Sequence, residues 1–309
     1  MTIQPDPIAS ATSPTPAIGD RRHLMAAWVL VVAVSAFVDI LFVELTGSVP
    51  DWLALARLAA LAVLVALSSV WRPARFLRDP AALFLALFTL NEARVRIDFA
   101  LLPLQALFGS TAFDARMQAE QTGKLAVSAG VIGLLVLLGY RRHAFFLTPG
   151  RLTAPIEPVP WLGFMKPVAW PVFGLQWGFY IAATLAVLMA LGAPPDAAQF
   201  GRMLPAVPSI LFYAALNAFN EEMTYRAPFL ASLRLVGGRH QALWMTAYFF
   251  GIAHYFGTPG GLLGGIASIF MGWILGKGML ETRGLFWTWW IHFLSDVAIF
   301  TFLALALVR

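Results

Sequence analysis

Residues 286–308 read FWTWWIHFLSDVAIFTFLALALV, a run of 23 residues whose only ionisable side chains are His292 and Asp296. About 20 apolar residues form a helix that crosses the roughly 30 Å hydrocarbon layer of a bilayer, so this run predicts a transmembrane helix. We therefore expect an all-α, polytopic transmembrane helix bundle with about 8-9 spans. The other candidate spans cover residues 25–46, 52–71, 81–108 (interrupted by polar residues), 125–140, 168–192, 204–225, 241–257 and 261–279.

The composition of the whole chain agrees with this prediction. Of 309 residues, 60% are hydrophobic and 12% are charged, and the mean hydropathy is +0.76. Soluble domains carry about 25% charged residues, so the composition excludes both a water-soluble globule and a disordered chain. The absence of cysteine excludes disulfides, thiolate catalysis and cysteine-ligated metals. The 21 Lys and Arg residues are scattered through short loops, so we expect no nucleic-acid partner.

The distribution of basic residues predicts the orientation in the membrane. The segment before the first span and the loops after the second, fourth, sixth and eighth spans hold 14 of the 21 Lys and Arg residues. Cytoplasmic loops carry an excess of basic residues. We therefore expect a multi-pass protein of the cell (cytoplasmic) membrane with its N-terminus in the cytoplasm. Arg94, Arg96, Arg116 and Lys124 fall on the opposite side in this arrangement.

Two polar segments divide the chain. Residues 1–23 are rich in Pro, Ser, Thr and Ala and predict a disordered cytoplasmic tail. Residues 149–168 contain five prolines and predict a Pro-rich cytoplasmic linker. This linker separates the N-terminal transmembrane helices, residues 24–148, from a C-terminal transmembrane domain, residues 169–309.

Ionisable side chains inside predicted spans indicate where function lies, because each costs about 2.5–3.5 kcal/mol in hydrocarbon. In the N-terminal half, Asp39, Glu44 and Arg57 occur singly near span ends, which favours interfacial or structural roles. Three helices of the C-terminal domain each bring such groups, and only the bundle interior can accommodate them. We expect the active site between these C-terminal helices. The candidate site residues are Glu221, Glu222, Arg226, His254, His292 and Asp296.

The spacing of these residues predicts which of them pair. Around a helix, Arg226 lies about 40° from Glu222 and about 140° from Glu221, so Glu222 and Arg226 are expected to form an ion pair. Glu221 is then left without a cation on its own helix, which suits a general base. The same four-residue spacing allows Asp296 to hold His292 in one orientation.

Activation of water is the chemistry that these groups fit. Glu221 and His254 can hold and deprotonate a water molecule directly. Alternatively, Glu221, His254 and His292 can bind a zinc ion and leave its fourth position open. The spacing does not distinguish the two. Ser295 is a poor nucleophile candidate because it lies about 60° beyond Asp296 relative to His292.

Over residues 205–309 the sequence resembles the CPBP intramembrane proteases, a family of CAAX proteases and bacteriocin-processing enzymes. Three ordered motifs, each on a separate apolar helix, support the resemblance. They are Glu221-Glu222-x-x-x-Arg226, Phe250-x-x-x-His254 and His292-x-x-x-Asp296.

The resemblance implies a role for each motif residue. Glu221 would activate water together with His254, Arg226 would support Glu222, and His292 with Asp296 would stabilise the oxyanion of the tetrahedral intermediate. Prenyl-processing members typically carry Asn where this chain has Asp296. Because an ionised Asp cannot donate a hydrogen bond, we expect Asp296 to orient His292 instead.

The expected function is an intramembrane endopeptidase acting near the cytoplasmic leaflet of the lipid bilayer, on a membrane-embedded or lipidated protein or peptide. One alternative is a non-catalytic bacteriocin self-immunity protein or membrane-peptide-binding scaffold. Another is a proton-coupled transporter, which is disfavoured because the two halves show no paired repeat.

Two expectations concern the helices themselves. Glu221 lies roughly 8 Å from the cytoplasmic end of its predicted span, whereas His254 lies roughly 20 Å from the same side, at 1.5 Å per residue. The seventh helix must therefore protrude or tilt for the two to meet.

Glycines between positions 260 and 278 indicate close packing of the eighth span against a neighbour.

Overall fold

The described part of the chain, residues 21–97 and 111–308 of a computed structural model, is helical and contains no extended strand. This confirms the all-α prediction. Of the tail predicted at residues 1–23, residues 1–20 lie outside the described residues and residues 21–23 begin α1, so the helix starts earlier than predicted. The end of the third predicted span, residues 98–108, also lies outside the described residues. The α-helices are α1 Arg21–Val34, α2 Ala36–Thr46, α3 Trp52–Val70, α4 Arg78–Arg94, α5 Ala112–Leu137, α6 Trp170–Gly192, α7 Ala197–Met203, α8 Val207–Glu221, α9 Ala227–Ala253, α10 Gly261–Thr282 and α11 Phe286–Leu307.

The number of helices that can cross a membrane is lower than the eight or nine expected. Within the described residues, six helical segments are long and apolar enough, or up to seven if the bent pair of α1 and α2 is one span. The sixth and seventh predicted spans belong to one continuous helical stretch, Ala197–Phe256. Helix α4 has 17 residues and is not among the six. The protein is thus a polytopic helical bundle with fewer independent spans than hydropathy suggested.

The bend inside that long stretch explains how two of the motifs meet. Helix α8 does not end near residue 225, because it continues through a π-helical turn, Glu222–Arg226, into α9. Helix α9 breaks only at Gly238, where φ is 78° and ψ is 173°. Glu221 lies 17 residues before Gly238 and His254 lies 16 residues after it. Both are therefore about 25 Å along their helices from the bend at 1.5 Å per residue, and no one-sided protrusion of the seventh helix is needed.

Helix packing places α8 at the centre of the site. Helix α8 packs against α5 and α11, α9 packs along α10, and α11 also packs along α6. Helix α5 begins with a capping box in which Thr111 and Asp114 satisfy each other's backbone amides. The last helix of the N-terminal group is therefore joined directly to the motif-bearing helices.

The linker predicted at residues 149–168 is irregular, apart from a short 3-10 turn at Pro160–Leu162, and it is attached to the bundle. The amide of Arg151 donates to the carbonyl of Thr282 at 2.7 Å, and the amide of Leu285 donates to the carbonyl of Thr148 at 2.8 Å. Gly150 has φ +82°, and a Cβ there would lie 2.8 Å from the Cα of Gly284. Only glycines allow the two backbones to approach so closely.

Candidate functional site

The six candidate residues come together at the meeting point of α8, α9 and α11. Glu221 ends α8, and Glu222 and Arg226 bound the π-helical turn that follows it. His254 follows the last residue of α9. His292 and Asp296 lie one turn apart on α11.

Glu222 and Arg226 form the predicted ion pair, with both side chains wholly buried. Arg226 also lies over the ring of Phe250, with its Cζ 4.4 Å from the ring centroid. The same carboxylate oxygen of Glu222 lies 2.7 Å from His292 Nδ1. A carboxylate can only accept, so the hydrogen bond runs from Nδ1–H to Glu222 and fixes the ring of His292.

Asp296 does not have the orienting role expected for it. Its Oδ2 lies 3.7 Å from His292 Nε2, which is longer than a hydrogen bond. Instead, Asp296 Oδ2 accepts from the Asn217 side-chain amide at 2.9 Å. The reason is geometric: Glu222 approaches the histidine from the facing helix, whereas the side chain of Asp296 is engaged by Asn217.

Glu221 has a cation, although not on its own helix. Lys124 on α5 places its ammonium 3.0 Å from Glu221 Oε1, and the same ammonium lies 2.7 Å from Asn217 Oδ1. Its own helix supplies no cation, as expected, but α5 does, so Glu221 is not an unpaired carboxylate. The second oxygen, Glu221 Oε2, lies 3.5 Å from His292 Nε2. One oxygen of Glu221 is thus held by Lys124 while the other faces the imidazole.

Lys124 and Asn217 are the principal residues that the sequence reasoning missed. The predicted fourth span begins at residue 125, so the predicted topology places Lys124 in a loop on the side opposite most basic residues. It lies in the interior of α5, so it is not a loop residue. The available signal is a lysine four residues after Glu120, at the start of the apolar run 125–138. Gln121 Nε2 donates to Asn217 Oδ1 at 2.9 Å.

His254 is held by the backbone of its own helix. Its Nδ1 lies 2.9 Å from the carbonyl oxygen of Phe250. Because a carbonyl can only accept, Nδ1 carries the proton and Nε2 is the nitrogen with a free lone pair. His254 is half-buried, and its ring lies 4.5 Å from the Phe250 ring centroid.

Two cavities meet at this site. The first has a volume of about 360 Å³ and the second about 520 Å³, and both are lined by Glu221, Phe250, His254 and Gly257. The second is also lined by His292 and by residues of α5, α6, α10 and α11. The site is therefore accessible from two separate volumes.

Helices of the N-terminal group form part of the first cavity. Asp39 and Arg57 line it and pair with each other at 2.6 Å, which agrees with the structural pairing expected for them. The hydroxyl of Tyr255, next to His254, donates to Glu44 on α2. The N-terminal helices therefore contact the site from α2, α3 and α5.

The arrangement does not fit the zinc site left open by the sequence. Within residues 21–97 and 111–308, no group of three or more His, Asp or Glu side chains is placed to hold a metal ion. The ammonium of Lys124 occupies one oxygen of Glu221, and His292 Nδ1 is engaged by Glu222. Within the set, Glu221 Oε2 and His292 Nε2 lie 3.5 Å apart, whereas the hydrogen bond of His254 Nδ1 runs to the backbone of its own helix.

Comparison with known proteins agrees with the motifs. Residues 203–298 match the family described as Rce1-like, type II CAAX prenyl endopeptidase. This range covers about a third of the chain and includes every candidate residue. No curated protein and no solved structure matches the chain significantly. Residues 203–298 are therefore similar to the CAAX protease family that the motifs resemble.

Proposed function

We propose that this chain is an intramembrane endopeptidase that cleaves a peptide bond of a membrane-embedded or lipidated substrate, with water activated by Glu221 and His254. The observation that carries the proposal is the position of these two residues, which line both cavities at the point where the cavities meet. A peptide that occupies both volumes would present a bond to both side chains.

The first step of the proposed reaction is the activation of water. Lys124 holds Glu221 Oε1, so Oε2 is the oxygen available to a water molecule. His254 Nε2 can accept from the same water, because its Nδ1 is engaged by Phe250. Glu221 removes a proton as the water oxygen attacks the carbonyl carbon, and such a general base contributes typically 10²–10⁴-fold to the rate.

The next step requires stabilisation of the oxyanion. With Nδ1–H donated to Glu222, a proton on His292 Nε2 points toward the space that Glu221 Oε2 also faces. We assign His292 Nε2–H as the donor to the oxyanion and Glu222 as the group that orients it. As the carbon–nitrogen bond breaks, the proton taken from water passes to the departing amine.

The second cavity supports an apolar substrate. Its walls include Trp177, Ile181, Leu188, Leu263 and Phe270, which offer carbon surface rather than charge. A side chain, lipid chain or transmembrane segment fits such walls.

We further propose the cell membrane as the location, with the N-terminus and the loop at Gly238 in the cytoplasm, on the basis of the distribution of basic residues.

The test compares the membrane peptidome of cells that express the wild type, Glu221→Ala, His254→Ala or Ser295→Ala at equal levels. Cleaved fragments should be abundant with the wild type and absent with the first two variants. Ser295→Ala is the matched control, because its hydroxyl donates to the carbonyl of Ile291 and touches neither catalytic group. It should retain the fragments.

Two results would contradict the proposal. If folded Glu221→Ala and His254→Ala proteins produce the same fragments as the wild type, these residues do not activate water. If Ser295→Ala alone abolishes the fragments, a serine nucleophile replaces the proposed mechanism. Size-exclusion chromatography of each variant in detergent shows whether it is folded.

A further inference from the structure

A third cavity lies where α9 bends, α10 ends and the loop after α5 begins. Its volume is about 430 Å³, and its polar lining comes from Arg234, Arg239, Arg283 and His143, with Phe146 beneath. It shares no lining residue with the two cavities of the candidate active site. We propose that this arginine cavity binds a phosphate group, carried by an anionic lipid headgroup or present as a free anion.

Within the described residues, two of the three arginines of the cavity have no carboxylate partner. Arg239 pairs with Glu157 and lies 3.9 Å from Glu281, and neither carboxylate lines the cavity. Arg234 donates only to the carbonyl of Ala144, at 3.2 Å, and in the described part of the chain no carboxylate pairs with Arg234 or Arg283. Guanidinium groups that share one cavity repel one another, and a bound anion would remove that repulsion. The planar guanidinium matches phosphate oxygens in a bidentate manner.

The backbone around the arginine cavity is strained in a way that favours a binding site. Among the described residues, the non-glycine residues with positive φ are Phe146, at 62°, and Arg283, at 58°. Both line this cavity. A left-handed conformation costs about 1–2 kcal/mol for a residue with a side chain. At Arg283 this conformation ends α10, as left-handed residues commonly end helices, whereas Phe146 lies in a turn. Such residues persist where the surrounding structure holds them, and they cluster at binding sites.

Direct contacts hold the walls of the cavity together. Phe146 is buried, and its ring centroid lies 5.6 Å from the guanidinium carbon of Arg234. The hydroxyl of Thr148 donates to the carbonyl of Arg283 at 3.1 Å. The loop after α5 and the turn after α10 are therefore fixed relative to each other. The cavity is preformed and does not depend on a ligand to assemble it.

The position of the arginine cavity suits an anion at the membrane surface. It is built at helix ends and loops, on the side that carries most of the basic residues. Basic pockets between transmembrane helices on the cytoplasmic side bind anionic headgroups. A phosphodiester at this level would lie among Arg234, Arg283 and His143 while its acyl chains remain in the bilayer.

The test uses the full-length protein in detergent, with melting temperature as the readout. Dioctanoyl phosphatidylglycerol, dioctanoyl phosphatidylcholine and inorganic phosphate are titrated separately. The anionic lipid should raise the melting temperature of the wild type in a saturable manner. Arg283→Asn should raise the apparent Kd of the anionic lipid, obtained from this titration, about tenfold, as expected for the loss of one charged hydrogen bond. Asn tolerates the left-handed conformation at this position, so the variant should fold.

Two further variants sharpen the comparison. Arg234→Gln removes a second cation and should weaken binding independently of Arg283→Asn. Arg72→Gln is the matched control, because Arg72 is exposed, begins the 3-10 helix Arg72–Leu77 and does not line the cavity. It should respond as the wild type does.

The outcomes separate the two sources of phosphate. Stabilisation by phosphatidylglycerol alone identifies a lipid headgroup, whereas stabilisation by inorganic phosphate as well identifies a free anion as sufficient. The proposal is overturned if no anion stabilises the wild type. It is equally overturned if folded Arg283→Asn and Arg234→Gln respond as Arg72→Gln does.

Discussion

At the scale of single residues, two adjacent glutamates have different partners because they leave the helix in different directions. Glu222 faces Arg226 and His292 in the dry interior, whereas Glu221 faces Lys124 and the two cavities. We therefore propose that Glu222 orients His292. Glu221 is the glutamate that lines both cavities.

Replacement of Glu222 and of Asp296 should have unequal effects. Glu222→Gln weakens the hydrogen bond that holds His292 Nδ1–H, so we expect a large loss of cleavage rate. Asp296→Asn should reduce the cleavage rate less, because Asp296 lies 3.7 Å from His292 and an Asn oxygen at this position still accepts from Asn217. Rates are measured on the substrate that the peptidome comparison identifies.

A control must separate a loss of stability from a loss of catalysis, because Glu222→Gln leaves the buried Arg226 without its carboxylate partner. Breaking a buried pair from one side costs about 3–5 kcal/mol. Addition of Arg226→Met should restore the melting temperature but not the cleavage rate. If Asp296→Asn cleaves the substrate as slowly as Glu222→Gln does, the prediction is wrong and Asp296 also orients His292.

Sequence reasoning recovered the motif residues but only part of their connections. The Glu222–Arg226 pair lies within one helix, so its geometry follows from the helical repeat alone. Contacts of Glu221 with Lys124 and of Glu222 with His292 join different helices, 97 and 70 residues apart. Helical periodicity contains no information about which face meets which neighbouring helix, so these partners could not be predicted.

At the scale of elements, close packing between α9 and α10 depends on glycine, as was expected for the eighth span. A Cβ at Gly276 would lie 2.6 Å from Leu243 Cδ1, and one at Gly272 would lie 3.2 Å from the Cα of Ala247. The tightest approach of this interface comes from the opposite helix. A Cβ at Gly251 would lie 2.2 Å from the backbone nitrogen of Ile269.

Gly251→Ala should therefore destabilise the protein, because the backbone of Ile269 cannot rotate away. We expect a loss of about 1–3 kcal/mol or more, the usual cost of overpacking. Gly133→Ala is the control, since no atom lies within 4 Å of a Cβ there. Ala in place of Gly within a helix should stabilise by about 0.8–1.0 kcal/mol. Equal melting temperatures of the two variants in detergent would show that this interface is not tightly packed.

At the scale of the whole molecule, the N-terminal helices contact the motif residues and their neighbours directly. Lys124 on α5 supplies the cation of Glu221, and Glu44 on α2 accepts from Tyr255. Composition predicted the all-α class reliably, because so apolar a chain can be stable only as membrane helices. The number of spans could not be predicted in the same way, since hydropathy does not show that one helix continues into the next.

The proposed orientation can be tested directly, because the chain has no cysteine of its own. Ser48 and His240 are both exposed and lie on opposite sides in the predicted topology. In intact cells, a membrane-impermeant maleimide should label Ser48→Cys. It should label His240→Cys only after the membrane is permeabilised. The reverse pattern would place the N-terminus outside.

The junction of the two cavities at Glu221 also bears on what happens after cleavage. Under the proposed reaction, the new carboxyl end and the new amine end lie in different volumes, separated by the side chains that cut the bond. Religation requires both ends to return to one point at once, so this separation would slow the reverse reaction without changing the equilibrium of hydrolysis.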